Sequence, residues 1–120
     1  MNRIFVLFCS FLTFFCLLST ALVARPKDFL FTDNELSSNL INNVFQDSDG
    51  FLWISTENGL NRYDGAKMTC YYHEKGNLHS LAHNFVCFVY EDKAGNLLVG
   101  SYMGVQLYNR DTDDFTEVAR

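Results

Sequence analysis

Proline is nearly absent from this 120-residue sequence: the single one is Pro26, so everything after it is free of the residue that most readily interrupts a β-ladder. Basic charge is also scarce. Lys and Arg number 9 against 14 Asp and Glu, and no basic cluster occurs, which argues against a nucleic-acid-binding role. No stretch carries the apolar spacing of an amphipathic helix, and no segment is of low complexity. Nucleophile elbows, phosphate-cradling glycine loops and convincing acid–base pairs are all missing, so the sequence offers no catalytic residue and calls for no cofactor. Cysteine is limited to Cys9, Cys16, Cys70 and Cys87. Cys9 and Cys16 lack the preceding Leu-small-small triplet of a lipid-attachment site.

The one long apolar run lies at the start. Arg3 is followed by Ile4 to Leu18, broken only by Ser10 and Thr13, and then by small residues, with Ser19-Thr20-Ala21 or Ala24 offering cleavage positions. This is the pattern of an export signal over residues 1–24; an uncleaved anchor over Ile4 to Val23 is the competing reading. Either way the remainder is expected outside the cytoplasm. Losing Arg3 leaves 8 basic residues against 14 acidic ones, a formal charge of 8 − 14 = −6.

Beyond this point the sequence repeats itself. Leu36 to Tyr63 returns from Leu81 to Tyr108 at a shift of 45 positions without a gap, with identities at Leu36/Leu81, Asn39/Asn84, Val44/Val89, Asp47/Asp92, Gly50/Gly95, Leu52/Leu97, Gly59/Gly104 and Tyr63/Tyr108. A period of this length is that of a β-propeller blade. The expected fold is therefore all-β: two four-stranded antiparallel blades of an incomplete propeller. In domain terms, residues 25–35 are a linker, 36–80 the first blade and 81–120 the second, incomplete one.

Each copy reads as four strands. In the first, Leu40 to Gln46 precedes a turn at Asp47-Ser48-Asp49-Gly50. Leu52 to Thr56 alternates in polarity, with Trp53 and Ser55 on one face, and Asn58-Gly59 reads as a two-residue hairpin. Leu60 to Tyr63, a turn at Asp64-Gly65, and Met68 to Tyr72 complete it. The second copy runs Phe85 to Glu91, a turn at Asp92-Lys93-Ala94-Gly95, Leu97 to Ser101, a turn at Gly104, and Val105 to Tyr108. Its last hairpin is longer by two residues, and Phe115 opens a strand that the sequence barely finishes. Cys70 then falls in a last strand and Cys87 in a first, at opposite radial edges of their blades and beyond disulfide reach. Phe29 to Thr32 is a short β-prone piece placed to close a ring with a distant last blade. A blade cannot bury both faces alone, so partners are expected to begin with further blades of the same polypeptide.

Leu36-Ser37-Ser38-Asn39, Val44, Gln46-Asp47, Gly50, Leu52-Trp53-Ile54, Thr56 and Gly59-Leu60-Asn61-Arg62-Tyr63-Asp64-Gly65 together resemble the two-component regulator propeller repeat. The second copy is similar through Leu81, Asn84, Val89, Glu91-Asp92, Gly95, Leu97, Gly100, Gly104, Val105 and Tyr108. Ser55 replaces the usual glycine, Leu98 the usual tryptophan, and Glu35 the glycine often found before the leucine. The resemblance implies the N-terminal periplasmic sensor region of a Bacteroides-type hybrid histidine kinase, anchored in the inner membrane and homodimeric as a whole. It further implies a glycan fragment as the signal and an oligosaccharide as ligand, with no chemistry in this part. A propeller lyase or hydrolase acting on polysaccharide, and a structural interaction scaffold, are the alternatives.

Candidate sites are few. Asp47-Ser48-Asp49-Gly50 resembles the opening of a calcium loop, but the second copy keeps only Asp92 and Gly95, favouring a turn. Cys70, His73, His79, His83 and Cys87 fit no compact zinc spacing, so no metal site is expected. Asp111, Asp113 and Asp114 read as a solvated hairpin tip. Asp47, Gly50, Trp53, Gly59, Tyr63, Asp92, Gly95, Gly104 and Tyr108 are the repeat's structural residues. Tyr102 and Met103 break the repeat where the first copy has Glu57 and Asn58, which makes them the ligand-contact candidates.

Overall fold

A computed structural model describes residues 35–119. Eight strands follow in chain order: β1 (Ile41–Gln46), β2 (Leu52–Thr56), β3 (Gly59–Tyr63), β4 (Met68–Tyr71), β5 (Val86–Glu91), β6 (Leu97–Ser101), β7 (Gly104–Asn109) and β8 (Asp114–Ala119). They form two separate antiparallel four-stranded sheets, ordered β1-β2-β3-β4 and β5-β6-β7-β8. The segment proposed to close a ring, Phe29 to Thr32, and the export signal lie outside the described residues.

The repeat carries through to backbone detail. β1 and β5 each hold a bulge at the same place, between Ile41 and Asn43 and between Val86 and Phe88. The β1–β2 turn is closed by Asp47 N–H to Phe51 O (2.9 Å) and Gly50 N–H to Asp47 O (3.0 Å), and the β5–β6 turn by Asp92 N–H to Asn96 O (2.9 Å) and Gly95 N–H to Asp92 O (3.0 Å). Gly50 and Gly95 take φ of 89° and 85° there, a conformation open to glycine at no steric cost. The Asp47 carboxylate also accepts from Asp49 N–H (2.9 Å), Phe51 N–H (3.0 Å) and Trp53 Nε1–H (2.8 Å).

Three details differ from the sequence reading. The β2–β3 turn is Glu57-Asn58, and Gly59 pairs with Thr56 as the first residue of β3. The positive φ of 122° therefore falls on Gly59 alone, where a Cβ would stand 2.9 Å from the Tyr71 carbonyl oxygen. β4 ends at Tyr71, one residue early. The last strand, expected to open at Phe115, opens one residue earlier at Asp114 and runs six residues, with β7 supplying its ladder from Asn109 to Val105.

The core lies between the two sheets. Trp53 and Leu60 of the first sheet meet Val89, Leu97, Val99, Tyr108 and Phe115 of the second, with Leu81 of the β4–β5 connection wedged among them. Repeat-equivalent residues fare differently according to the face they occupy: Val89 is 3% exposed whereas Val44 is 54% exposed. Val89 pairs with Val99 on the face that meets the first sheet, and Val44 pairs with Ile54 on the face turned away from the second. Phe88 and Tyr90 are likewise exposed on the far side of the second sheet. Each sheet thus has one sealed and one open face.

A loop wedge accompanies each sheet. Ser37 N–H donates to Asn61 Oδ1 and Ala82 N–H donates to Gln106 Oε1, both at 2.8 Å and again 45 residues apart. Ser55 is the misfit. It stands where the second sheet has Gly100, and its Oγ is buried without a hydrogen-bond partner. Gly100 instead accommodates the Phe88 ring, which occupies the space a Cβ would need.

Candidate ligand-binding surface

Antiparallel connection puts the β4–β5 segment and the β2–β3 and β6–β7 turns at one end of the sheets, and the remaining turns at the other. At the first end Tyr102 stacks on Phe85 with ring centroids 4.1 Å apart and planes 9° from parallel. His83 approaches Tyr102 at 5.8 Å with a 39° tilt. The His83 ring is fixed by its Nδ1, which accepts from Phe85 N–H at 2.9 Å, so the other nitrogen carries the proton in the neutral ring. Tyr102 is 67% exposed and Met103 is exposed beside it. The surface therefore offers an aromatic face bordered by a phenol and an imidazole N–H, a combination suited to a ligand with an apolar flat side and polar edges.

The register explains why this group exists only in the second copy. Tyr102 N–H bonds Phe85 O at 3.3 Å, as Glu57 N–H bonds Leu40 O at 3.0 Å in the first. The backbone positions are equivalent, but Leu40 and Glu57 cannot stack. A cleft of about 220 Å³ lies near Met103, bounded by His73, Leu78, Gln106 and Glu117.

A second polar group bridges the seam between the sheets. Asp113 Oδ1 accepts from Tyr71 OH at 2.5 Å and from Tyr108 OH at 2.6 Å, while Arg62 Nη1 donates to Tyr108 Oη at 2.5 Å and stands 3.5 Å from the same carboxylate oxygen. The Arg62 guanidinium also lies over the Phe51, Trp53 and Tyr71 rings at 5.3–5.9 Å. Burial first, and then the bond to Asp113, pushes the Tyr71 phenol far above its ordinary pKa; Tyr108 is raised for the same reasons. Both tyrosines thus remain protonated donors. The hairpin tip is exposed, as its sequence reads, and it also makes a contact that reading did not include: the two extra residues let Asp113, at φ 54°, fold back onto the seam. Asp114 is also engaged, accepting from Thr112 and Asn109, which lowers its pKa.

At the opposite end Arg110 donates to Asp49 Oδ2 (3.0 Å), Glu91 Oε2 (3.1 Å) and Gly95 O (2.6 Å), and Glu91 accepts from Ser48 N–H (3.1 Å). The first sheet's β1–β2 turn is thereby tied to the second sheet.

The other sequence candidates are dispersed. The Cys70 thiol donates to Asn61 Oδ1 at 3.2 Å, its pKa raised by burial, and Cys70 and Cys87 are both free thiols. His73 Nδ1 lies 2.7 Å from Leu81 O, and His79 Nδ1 lies 3.3 Å from Phe115 O. Among the described residues no group of three such side chains is placed to hold a metal ion. Tyr63 bonds Gly65 O at 2.8 Å across its own turn, while its counterpart Tyr108 sits in the core. Sequence reasoning missed Arg62, Tyr71 and Asp113 as a group, and Phe85 and His83 as neighbours of Tyr102. The signals available were the longer hairpin and the replacement of Arg62 by Leu107 in the second copy.

Residues 35–58 match the family model described as two component regulator propeller. No curated protein matches the sequence. Among solved structures, the chain is similar to the crystal structure of the extracellular domain of BT3049 from B. thetaiotaomicron, described as a hybrid two component system. The TM-score is 0.64 and the sequence identity 30%, over 72% of this chain and 12% of that one. The eight strands thus form two successive four-stranded propeller blades, similar in fold to part of that extracellular domain, and the first of them contains the stretch that matches the two component regulator propeller model.

Proposed function

We propose that this chain contributes the opening blades of a periplasmic sensor whose parent is anchored in the inner membrane, acts as a homodimer and responds to a glycan fragment. The observation that carries this reading is the similarity to an extracellular domain of a hybrid two-component system, joined to the family repeat at residues 35–58. The blades provide a rigid mount. Exposed loop ends on such a mount are where recognition residues concentrate, and Tyr102 with Met103 is an exposed loop-end pair that departs from the repeat. In this reading ligand contact biases the packing of a larger blade array, and the chain itself performs no chemistry. Further blades of the same polypeptide cover the open faces.

The gene read beyond codon 120 provides the test. Further blades followed by a membrane helix and histidine-kinase motifs are expected. A ring closed without a membrane helix, with paired acidic residues on one face, would replace the sensor with a polysaccharide-cleaving enzyme. In the parent, Tyr102→Ala should weaken the response of a transcriptional reporter to oligosaccharide while leaving the folded protein level unchanged.

A further inference from the structure

The aromatic surface of Phe85 and Tyr102 and the cleft near Met103 adjoin one another. His83 and Tyr102 belong to the surface, and their chain neighbours Ala82 and Met103, each one residue step of about 3.8 Å away, line the cleft. The cleft lies beside the β4–β5 connection, against Gln106 on the face of the second sheet that meets the first. Its volume of about 220 Å³ falls below the roughly 300–1,000 Å³ that encloses a whole drug-sized ligand, so it has room for a ring substituent rather than for a chain of rings.

Leu78, Leu81, Ala82 and Met103 give the cleft a largely apolar wall. The polar side chains among them are already engaged. Gln106 accepts from Ala82 N–H at 2.8 Å and donates to Ser80 O at 2.9 Å; Asn77 accepts from His79 N–H and donates to Glu74 Oε2, both at 3.0 Å. Glu117 is exposed, and its charge disfavours an anionic substituent. A hydroxyl entering here exchanges water for partners already in use, whereas a methyl group leaves water for carbon. Leu78 in the β4–β5 connection is 88% exposed and Met103 is 52% exposed, so two apolar side chains border the cleft while open to water.

We propose that this site selects a sugar carrying a methyl-bearing substituent, either the C6 methyl of a deoxy sugar or the acetyl group of an acetamido sugar. The ring lies on Tyr102, and the methyl enters the cleft against Leu78 and Met103. The inference rests on the reading of Tyr102 and Met103 as ligand contacts. One added methyl in a hydrophobic pocket discriminates by roughly 10- to 200-fold, and a cleft open on one side belongs at the lower end of that range.

The test titrates two matched pairs of probes into the full chain, purified after export. Chitotriose and cellotriose share a backbone and differ in acetamido for hydroxyl; a fucosyl disaccharide and its L-galactosyl analogue differ in methyl for hydroxymethyl. In at least one pair the methyl-bearing member should bind about tenfold more tightly than its partner, and which pair responds tells an acetamido from a deoxy sugar. Leu78→Ser should cut that preference to within about twofold, whereas Tyr102→Ala should weaken both members of the pair. Blue-shifted Trp53 emission checks the fold of each variant, because Trp53 is fully buried between the sheets. Equal affinities within both pairs, or a preference that Leu78→Ser leaves unchanged, would overturn the proposal while the sensor reading stands. Absence of binding by all four probes would overturn it as well; the sensor reading is decided separately, by the gene beyond codon 120 and the reporter.

Discussion

Asp47 is the residue whose removal the structure prices most directly. Its carboxylate is 5% exposed and accepts three hydrogen bonds, two from the backbone of its own turn and one from the buried indole of Trp53. Asp47→Ala strands the indole N–H in the core, which costs about 1–3 kcal/mol, and frees two turn amides at roughly 0.5–1.5 kcal/mol each. Relaxation and water entry offset part of the sum, leaving a loss of about 3 kcal/mol. For a domain of this size that lowers the melting temperature by roughly 12–24 °C. Asp47→Asn separates the contributions: its amide oxygen still serves the turn, but its NH₂ faces the indole donor, so an intermediate loss is expected. Thermal and urea melts followed by Trp53 fluorescence measure both. A loss below about 0.5 kcal/mol for D47A, or equal losses for the two variants, would refute the assignment of Asp47 as the link between turn and core.

Val89→Ala should destabilise by about 2 kcal/mol, since Val89 is 3% exposed, whereas Val44→Ala in dilute solution should change stability by less than about 0.5 kcal/mol. Paired urea titrations decide this, and equal effects would contradict the inequivalence of the faces. Ser55→Ala removes a buried hydroxyl that has no partner, so a gain of about 1 kcal/mol is expected in the same assay. Acid should destabilise. Asp64 is held low by backbone amides of Lys67 and Ala66, Asp92 by Asn96, Glu91 by Ser48 and Asp114 by Thr112. Because the folded values are depressed, this stability is present above the ordinary carboxylate range near pH 4 and is lost as pH falls through the folded values. Melting curves between pH 7 and pH 2.5 should be flat down to about pH 5 and then decline; a rise on acidification would contradict the sign.

The strands were legible because they depend on local chemistry that the repeat states twice. Alternation over Leu52 to Thr56, the Asp-to-Gly turns and the period of 45 residues place seven of the eight strands within about one residue at each end, and the opening of the eighth within one residue. Burial was not legible. Val44 and Val89 are the same residue at the same repeat position, and only the neighbouring sheet distinguishes them. The Arg62–Tyr108–Asp113 group was hidden for a related reason. Its members are 46 and 5 residues apart, and they meet only once the sheets are in register and the longer hairpin has turned back. At the loop end, Tyr102 announced itself by breaking the repeat. Its partners Phe85 and His83 did not, because their contact depends on the backbone bond that brings the β6–β7 turn to the start of β5.

The account rests on two separate sheets that face one another through Trp53. Nuclear Overhauser contacts from the Trp53 ring test this most directly. The Trp53 and Tyr108 centroids lie 4.8 Å apart, edge to face, so strong cross-peaks to Tyr108 are predicted, together with contacts to Tyr71, whose centroid lies at 6.1 Å. Cross-peaks from Trp53 to Val44 or Ile54 side chains, with none to Tyr108, would contradict it.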